Sequence, residues 1–131
     1  MAGFIAHIEA DAKANRNFRK VIYTAATKNM QLVLMSLKPL EEIGMEVHPK
    51  VDQFFRFEAG NGKVVIDGVE IAVTDGDVVV IPAGSLHNVI NVSTTDDLKL
   101  YTIYTPANHP DGTVHATKAD AITAEVAEHN Q

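Results

Sequence analysis

A succession of short apolar segments, each broken by a Gly, Asn or Asp turn, constrains this chain more than any other feature. Between Phe18 and Thr105 run "FRKVIYT", "MQLVLMSL", "DQFFRF", "KVVI", "VEIAV", "DVVVI", "NVINV" and "LKLYTIYT". Their lengths and their Val, Ile, Tyr and Phe content suit strands, not helices. The intervening "KPLEEIG", "EAGNGK", "DGV", "TDGD" and "PAGSLH" are turn-formers, and Asn-Gly and Asp-Gly are suited to tight hairpins. Many short strands at this spacing predict an all-β sandwich or barrel. Only the ends read as helical. Residues 117–129 open with a Thr117-to-Asp120 capping pattern and place Ile122 and Val126 four apart, which predicts a short amphipathic helix packed on the barrel. Residues 5–16 suit either a turn or two of helix or an extended arm. No internal repeat or low-complexity tract is present.

At 131 residues and 46% hydrophobic content, one domain with one core is expected. The chain has no cysteine, which excludes a disulfide framework, a thiolate metal site and a Cys nucleophile; any metal must be held by nitrogen and oxygen. A net charge of -6 with scattered Lys and Arg argues against a nucleic-acid groove. The opening "MAGFIAHIEADAK" is interrupted by His7 and lacks the basic start of a signal peptide, and no apolar run is long enough to span a bilayer. A cytoplasmic protein with a small-molecule ligand, and with neither nucleic acid nor membrane as partner, is the expectation.

The stretch "IGMEVHPKVDQF" holds the first chemistry-bearing residues. On a strand, Glu46 and His48 project to one side, parallel to each other, while Met45 and Val47 face the other. Gln53, Phe55 and Phe57 share one face of the following strand, and Phe54 and Arg56 share the opposite face. His87 follows the turn "IPAGSLH". Singly, each has a plain reading: surface decoration for the Glu-x-His pair, an exposed imidazole for His87, nothing at all for Gln53.

Together the two segments resemble the paired motifs of the cupin superfamily, in particular its small single-domain, Cupin_2-like members similar to mannose-6-phosphate isomerase. "GDVVVIPAGSLHNVIN" matches the second motif in full through Gly76, Pro82, Gly84, His87 and Asn91. Gly44, Glu46, His48, Gln53 and Gly60 fall in the register of the first, with two departures: Glu46 stands where a His is expected, and Gln53 where a Glu is expected. The resemblance implies an all-β, cupin-type antiparallel jelly-roll β-barrel with a short C-terminal helix. Residues 1–131 would form a single domain, with the barrel at about 30–105, an N-terminal arm at 1–17, and a loop and helix at 106–131. It implies one divalent metal ion on Glu46, His48, Gln53 and His87. The carboxylate has moved within the ligand set without being lost, so a bound divalent ion keeps a net charge of +1. Two oxygen donors make the site harder than usual, which favours Mn2+ or Fe2+ over copper and leaves Zn2+ and Ni2+ open. The opposing reading is a polar barrel throat that binds no metal.

Other residues extend this picture. Leu98, Leu100, Thr102 and Tyr104 are expected to face inward and Lys99 to face solvent; the strand holding Gln31 to Met35 cannot be phased. Tyr104 is the candidate catalytic residue, as hydrogen-bond donor or acid, against the commoner use of such a Tyr in core packing. Phe55 and Phe57 would line the pocket. His109 and His115 could close over the mouth as a proton shuttle, since imidazole titrates near neutrality; His7 and His129 read as surface residues. Arg56 and Phe54, facing outward, suit a subunit contact, and a homodimer is expected. Functionally, a metal-dependent enzyme of the dioxygenase, isomerase or lyase type acting on a small oxygenated metabolite stands first. A non-catalytic small-molecule or metal-binding protein is the alternative. A metal-free epimerase type is disfavoured, because Glu46 and His48 would lie parallel and not meet.

Overall fold

In the computed structural model, which describes residues 3–129 with the side chains of Glu128 and His129 excepted, the predicted antiparallel barrel is present. His129, read above as a surface residue, therefore has its side chain outside the described residues. The elements are α1 (Ile8–Ala14), β1 (Arg19–Thr24), β2 (Gln31–Leu37), β3 (Asp52–Ala59), β4 (Asn61–Ile66), β5 (Val69–Thr74), β6 (Val78–Ile81), β7 (His87–Asn91), β8 (Leu98–Thr105), β9 (Val114–His115) and α2 (Lys118–His129). A six-stranded sheet in the order β6-β3-β8-β2-β1-β9 faces a three-stranded sheet, β5-β4-β7. This is a jelly-roll barrel with a short C-terminal helix.

Strand alternation decides what lies between the sheets. Across the large sheet, Thr24, Gln31, Tyr104, Gln53 and Ile81 form one inward row. Val33, Thr102, Phe55 and Val79 form the next, and Arg19, Met35, Leu100 and Phe57 a third. The second and third rows hold Phe55, Phe57, Met35 and Leu100, all at most 1% exposed, and meet Val64 and Val89 of the small sheet in the core. Burying each large apolar side chain there contributes about 1.5–3 kcal/mol. The first row is polar, and it lies at the site end.

The expected phases of β3 and β8 hold: Gln53, Phe55 and Phe57 are buried, as are Leu98, Leu100, Thr102 and Tyr104. Lys99 does not face solvent as expected. Its Nζ donates to the Asn15 carbonyl and to Ser36 Oγ, 2.9 Å away, because α1 packs across the outer face of β2, β3 and β8. The same cover explains why β2 could not be phased, since Leu34 and Ser36 on its outer face are buried as well. At the bulge after Phe57, Glu58 is 2% exposed and accepts from Arg56 Nε at 2.7 Å, so Arg56 serves an intrachain ion pair.

At the second motif's end, Asn91 is fully buried and acts as a clamp. Its Nδ2 donates to the carbonyls of Leu37, Lys38 and Asp96 at 2.9–3.0 Å, and its Oδ1 accepts from Ser93 N at 2.9 Å. Gly60, at φ +95°, lies where a Cβ would meet the Asp97 carbonyl oxygen at 2.5 Å, so only glycine passes there. Thr117 and Asp120 form the predicted capping box, Asp120 N donating to Thr117 Oγ1 at 3.1 Å and Thr117 N to Asp120 Oδ2 at 3.3 Å. The helix packs on a different face from the one expected. Ala121 is buried, whereas Ile122 and Val126 are more than half exposed. Among the described residues, no helix is long and apolar enough to cross a membrane.

Candidate metal centre

Glu46 and His48 lie in the segment joining β2 to β3, outside any long strand. Glu46 N and O pair with His87 O and N at 2.8 and 2.9 Å, and Gly84 N donates to the His48 carbonyl at 2.9 Å. These bonds stitch the first motif's loop to the start of β7. The consequence is a three-residue cluster, Glu46, His48 and His87, with one ligand atom from each lying within 4.8 Å of the others. His48 Nε2 is 3.1 Å from Glu46 Oε2, and His87 Nε2 is 4.0 Å from that oxygen.

The close His48–Glu46 approach corrects the expectation that the two would run parallel and not meet. That expectation needs a regular ladder; here Glu46 makes a single bridge, and Pro49 directly after His48 removes a backbone donor, so the two side chains converge.

His87 is poised as a ligand. Its Nδ1 lies 3.0 Å from the Ser85 carbonyl, an acceptor only, so Nδ1 donates there and Nε2 is the ring nitrogen left to face the cluster. That Nε2 is buried and has no hydrogen-bond partner. An unpartnered buried polar atom is costly, about 1–3 kcal/mol, unless a ligand completes it. Gln53 repeats the pattern. Its Nε2 donates to Thr102 Oγ1 at 3.0 Å, while its buried Oε1 has no partner. The Glu46 carboxylate and the two imidazoles of His48 and His87 make a donor set that fits a divalent cation. Gln53 is the register partner of Tyr104 on β8, and the Tyr104 and His48 rings stand near-perpendicular with centroids 6.1 Å apart.

Tyr104 is 2% exposed, and its hydroxyl lies 3.2 Å from His109 Nε2. Burial holds the phenol above its ordinary range, so it is protonated. His109 follows β8 on a loop held by Gln31: Oε1 of that side chain accepts from Asn108 N at 3.1 Å and His109 N at 3.0 Å, and Nε2 donates to the His109 carbonyl at 2.8 Å. Burial pushes His109 down to about 3, with the charge of Arg19 adding to the effect. The imidazole is therefore neutral at ordinary pH, which removes the near-neutral titration expected of a shuttle. His115 lies on β9 instead, its Nδ1 3.3 Å from Arg19 Nη1. Arg19 is itself 2% exposed and ion-paired with Glu125 of α2 at 3.2 Å. Sequence reasoning missed Arg19 and the Gln31 clamp. The signal for Gln31 was a lone amide in an apolar strand.

Phe55 and Phe57 stack at 6.3 Å between centroids and belong to the core cluster. Phe54 and the exposed Val80 lie on the outer face of the large sheet, paired across strands with each other and with Ile103.

Comparison with known proteins agrees with this fold. Residues 33–104 match the cupin domain family Cupin_2. The chain is 48% identical over 128 residues to the uncharacterized protein YrkC of Bacillus subtilis (strain 168), covering 93% of this chain and 67% of that one. The crystal structure of BH2720 from Bacillus halodurans superposes with a TM-score of 0.88 at 42% identity, over 93% of this chain and 95% of that one. TT1209 from Thermus thermophilus, at 22% identity, shares the fold with a TM-score of 0.69 over 79% of this chain and 98% of its own.

Proposed function

The chain belongs to the cupin domain family, and on that premise we propose that it is a divalent-metal-dependent enzyme acting on a small oxygenated metabolite, of the dioxygenase or the isomerase/lyase type. The observation that carries the reading is His87 Nε2, buried and without a hydrogen-bond partner, inside a cluster with Glu46 and His48, while its Nδ1 is taken up by the Ser85 carbonyl. Gln53 Oε1 is the fourth ligand in this reading. Bound there, the ion would supply Lewis acidity toward an oxygen of the substrate. Two imidazoles with one carboxylate and one amide oxygen favour Mn2+ or Fe2+ over copper and leave Zn2+ and Ni2+ open. The protein's own part is to hold the ligand atoms in place. Subunits would pair through the apolar outer face at Phe54, Val80 and Ile103, so sedimentation at micromolar concentration should give a homodimer.

A second reading is favoured by one contact. The 3.1 Å approach of His48 to Glu46 could serve a metal-free acid–base pair of the epimerase type. Elemental analysis of protein purified without added metal or a His-tag separates the two. Near-stoichiometric metal, lost in Glu46→Ala and in His87→Ala, is expected. Folded wild-type protein that carries no metal and takes up no added Mn2+, Fe2+ or Zn2+ would overturn the metal reading in favour of acid–base chemistry or plain ligand binding.

A further inference from the structure

The loop after β8 delivers an imidazole to a buried phenol, and nothing in the ligand cluster explains why. Gln31 is fully buried and spends all its polar capacity on this placement: two acceptances from the Asn108 and His109 amides, one donation to the His109 carbonyl and one to Thr24 Oγ1 at 2.9 Å. We propose that His109 is a positioning residue whose Nε2–H donates to the Tyr104 oxygen, turning the phenol O–H toward the Glu46–His48–His87 cluster, where it donates to an oxygen-donor anion held there.

The direction follows from what stands on each side of Tyr104. Toward the cluster, whose Glu46 carboxylate acts on Tyr104, His87 Nε2 is buried without a hydrogen-bond partner, as is Oε1 of Gln53, which lies against Tyr104 on β3. A phenol proton aimed at His109 would leave that side without a donor, whereas one aimed at the cluster needs the His109 nitrogen to supply the proton at 3.2 Å. The anionic character follows from charge. One carboxylate leaves a divalent ion with net +1, and Arg19 within the barrel is balanced by Glu125. The anion therefore rests on the metal reading, but the tautomer of His109 does not.

Two measurements test this. In metal-free protein, imidazole 15N spectra should show His109 protonated at Nε2; an Nδ1–H tautomer overturns the proposal. In Mn2+-loaded protein, acetohydroxamate serves as the oxygen-donor probe, followed by calorimetry. His109→Leu and Tyr104→Phe should each weaken its binding about tenfold or more, the loss of one hydrogen bond to a charged group. His109→Gln, which keeps an N–H near the Nε2 position, should stay within about threefold, as should Mn2+ affinity in all three variants. Unchanged acetohydroxamate binding in His109→Leu and Tyr104→Phe overturns the pair while sparing the metal reading. So does equal weakening by His109→Gln and His109→Leu, which marks mere packing. Failure of the wild type to take up Mn2+ overturns the metal reading and the anion with it, and the 15N spectrum alone then decides the role of His109.

Discussion

Replacing Gln53 by Glu places a carboxylate at a position 3% exposed, where Thr102 Oγ1 is the side-chain partner. Without metal, the new group must either ionise in a poor environment or remain protonated. The second option caps the cost: holding a Glu of ordinary pKa near 4.3 neutral at pH 7 takes about 3.7 kcal/mol, at 1.36 kcal/mol per pH unit. At pH 5 the same cap is about 1 kcal/mol. The sign follows from proton binding. The folded pKa is raised, so the native state holds a proton that the unfolded chain has released, and stability falls as pH rises above the unfolded value of about 4.3. For a chain of this size, about 4 °C of Tm accompanies each kcal/mol, so metal-free Gln53→Glu should melt up to about 15 °C below wild type at pH 7 and about 4 °C below at pH 5. Saturating Mn2+ should close most of the gap at pH 7, since the carboxylate then faces a cation. Thermal melts followed by circular dichroism at both pH values, with and without Mn2+, read all four conditions. A penalty under about 3 °C at pH 7 without metal, or one that Mn2+ leaves untouched, refutes the placement of Gln53 in a dry site open to a cation.

Restoring the family layout should show coupling: Glu46→His and Gln53→Glu each impair metal binding alone, and together recover at least about 1 kcal/mol relative to additivity, measured by metal titration. Strict additivity sinks the idea that the carboxylate has been transposed. Asn91→Ala strips partners from four backbone groups and should cost about 3 kcal/mol in urea unfolding while leaving the metal ligands intact. Gly60→Ala, with its Cβ 2.5 Å from the Asp97 carbonyl oxygen, should destabilise more than Gly44→Ala, where φ is also positive but nothing lies within 4 Å. By about 3 kcal/mol against about 1 in the same assay, the two separate steric clash from backbone strain.

Much of the site was legible in the sequence because strands have a period of two. Parity alone put Gln53, Phe55 and Phe57 on one face and Tyr104 inward, and both expectations hold. Motif spacing identified His87 together with Glu46 and His48 as a cluster, which the fold assembles. Parity failed where the ladder is broken or covered. Glu58 is buried at the bulge after Phe57, α1 covers the outer face that holds Lys99, and the irregular loop bends His48 onto Glu46.

By itself, then, the sequence determined the barrel, the Asp67-Gly68 hairpin turn, the C-terminal capping box and the identity of the metal-ligand candidates, because each of these rests on local periodicity or on residues a few positions apart; Asn61-Gly62, which also reads as a tight turn, lies inside β4. The tertiary structure decided which buried polar atoms are left without partners, that the Ser85 carbonyl takes up Nδ1 of His87, and that Gln31 delivers His109 to Tyr104. Gln31 and His109 are 78 residues apart, and Arg19 and Glu125 are 106 apart. Contacts at such separations leave no periodic trace in the chain, since they depend on how the two sheets and the segment after β8 close over one another.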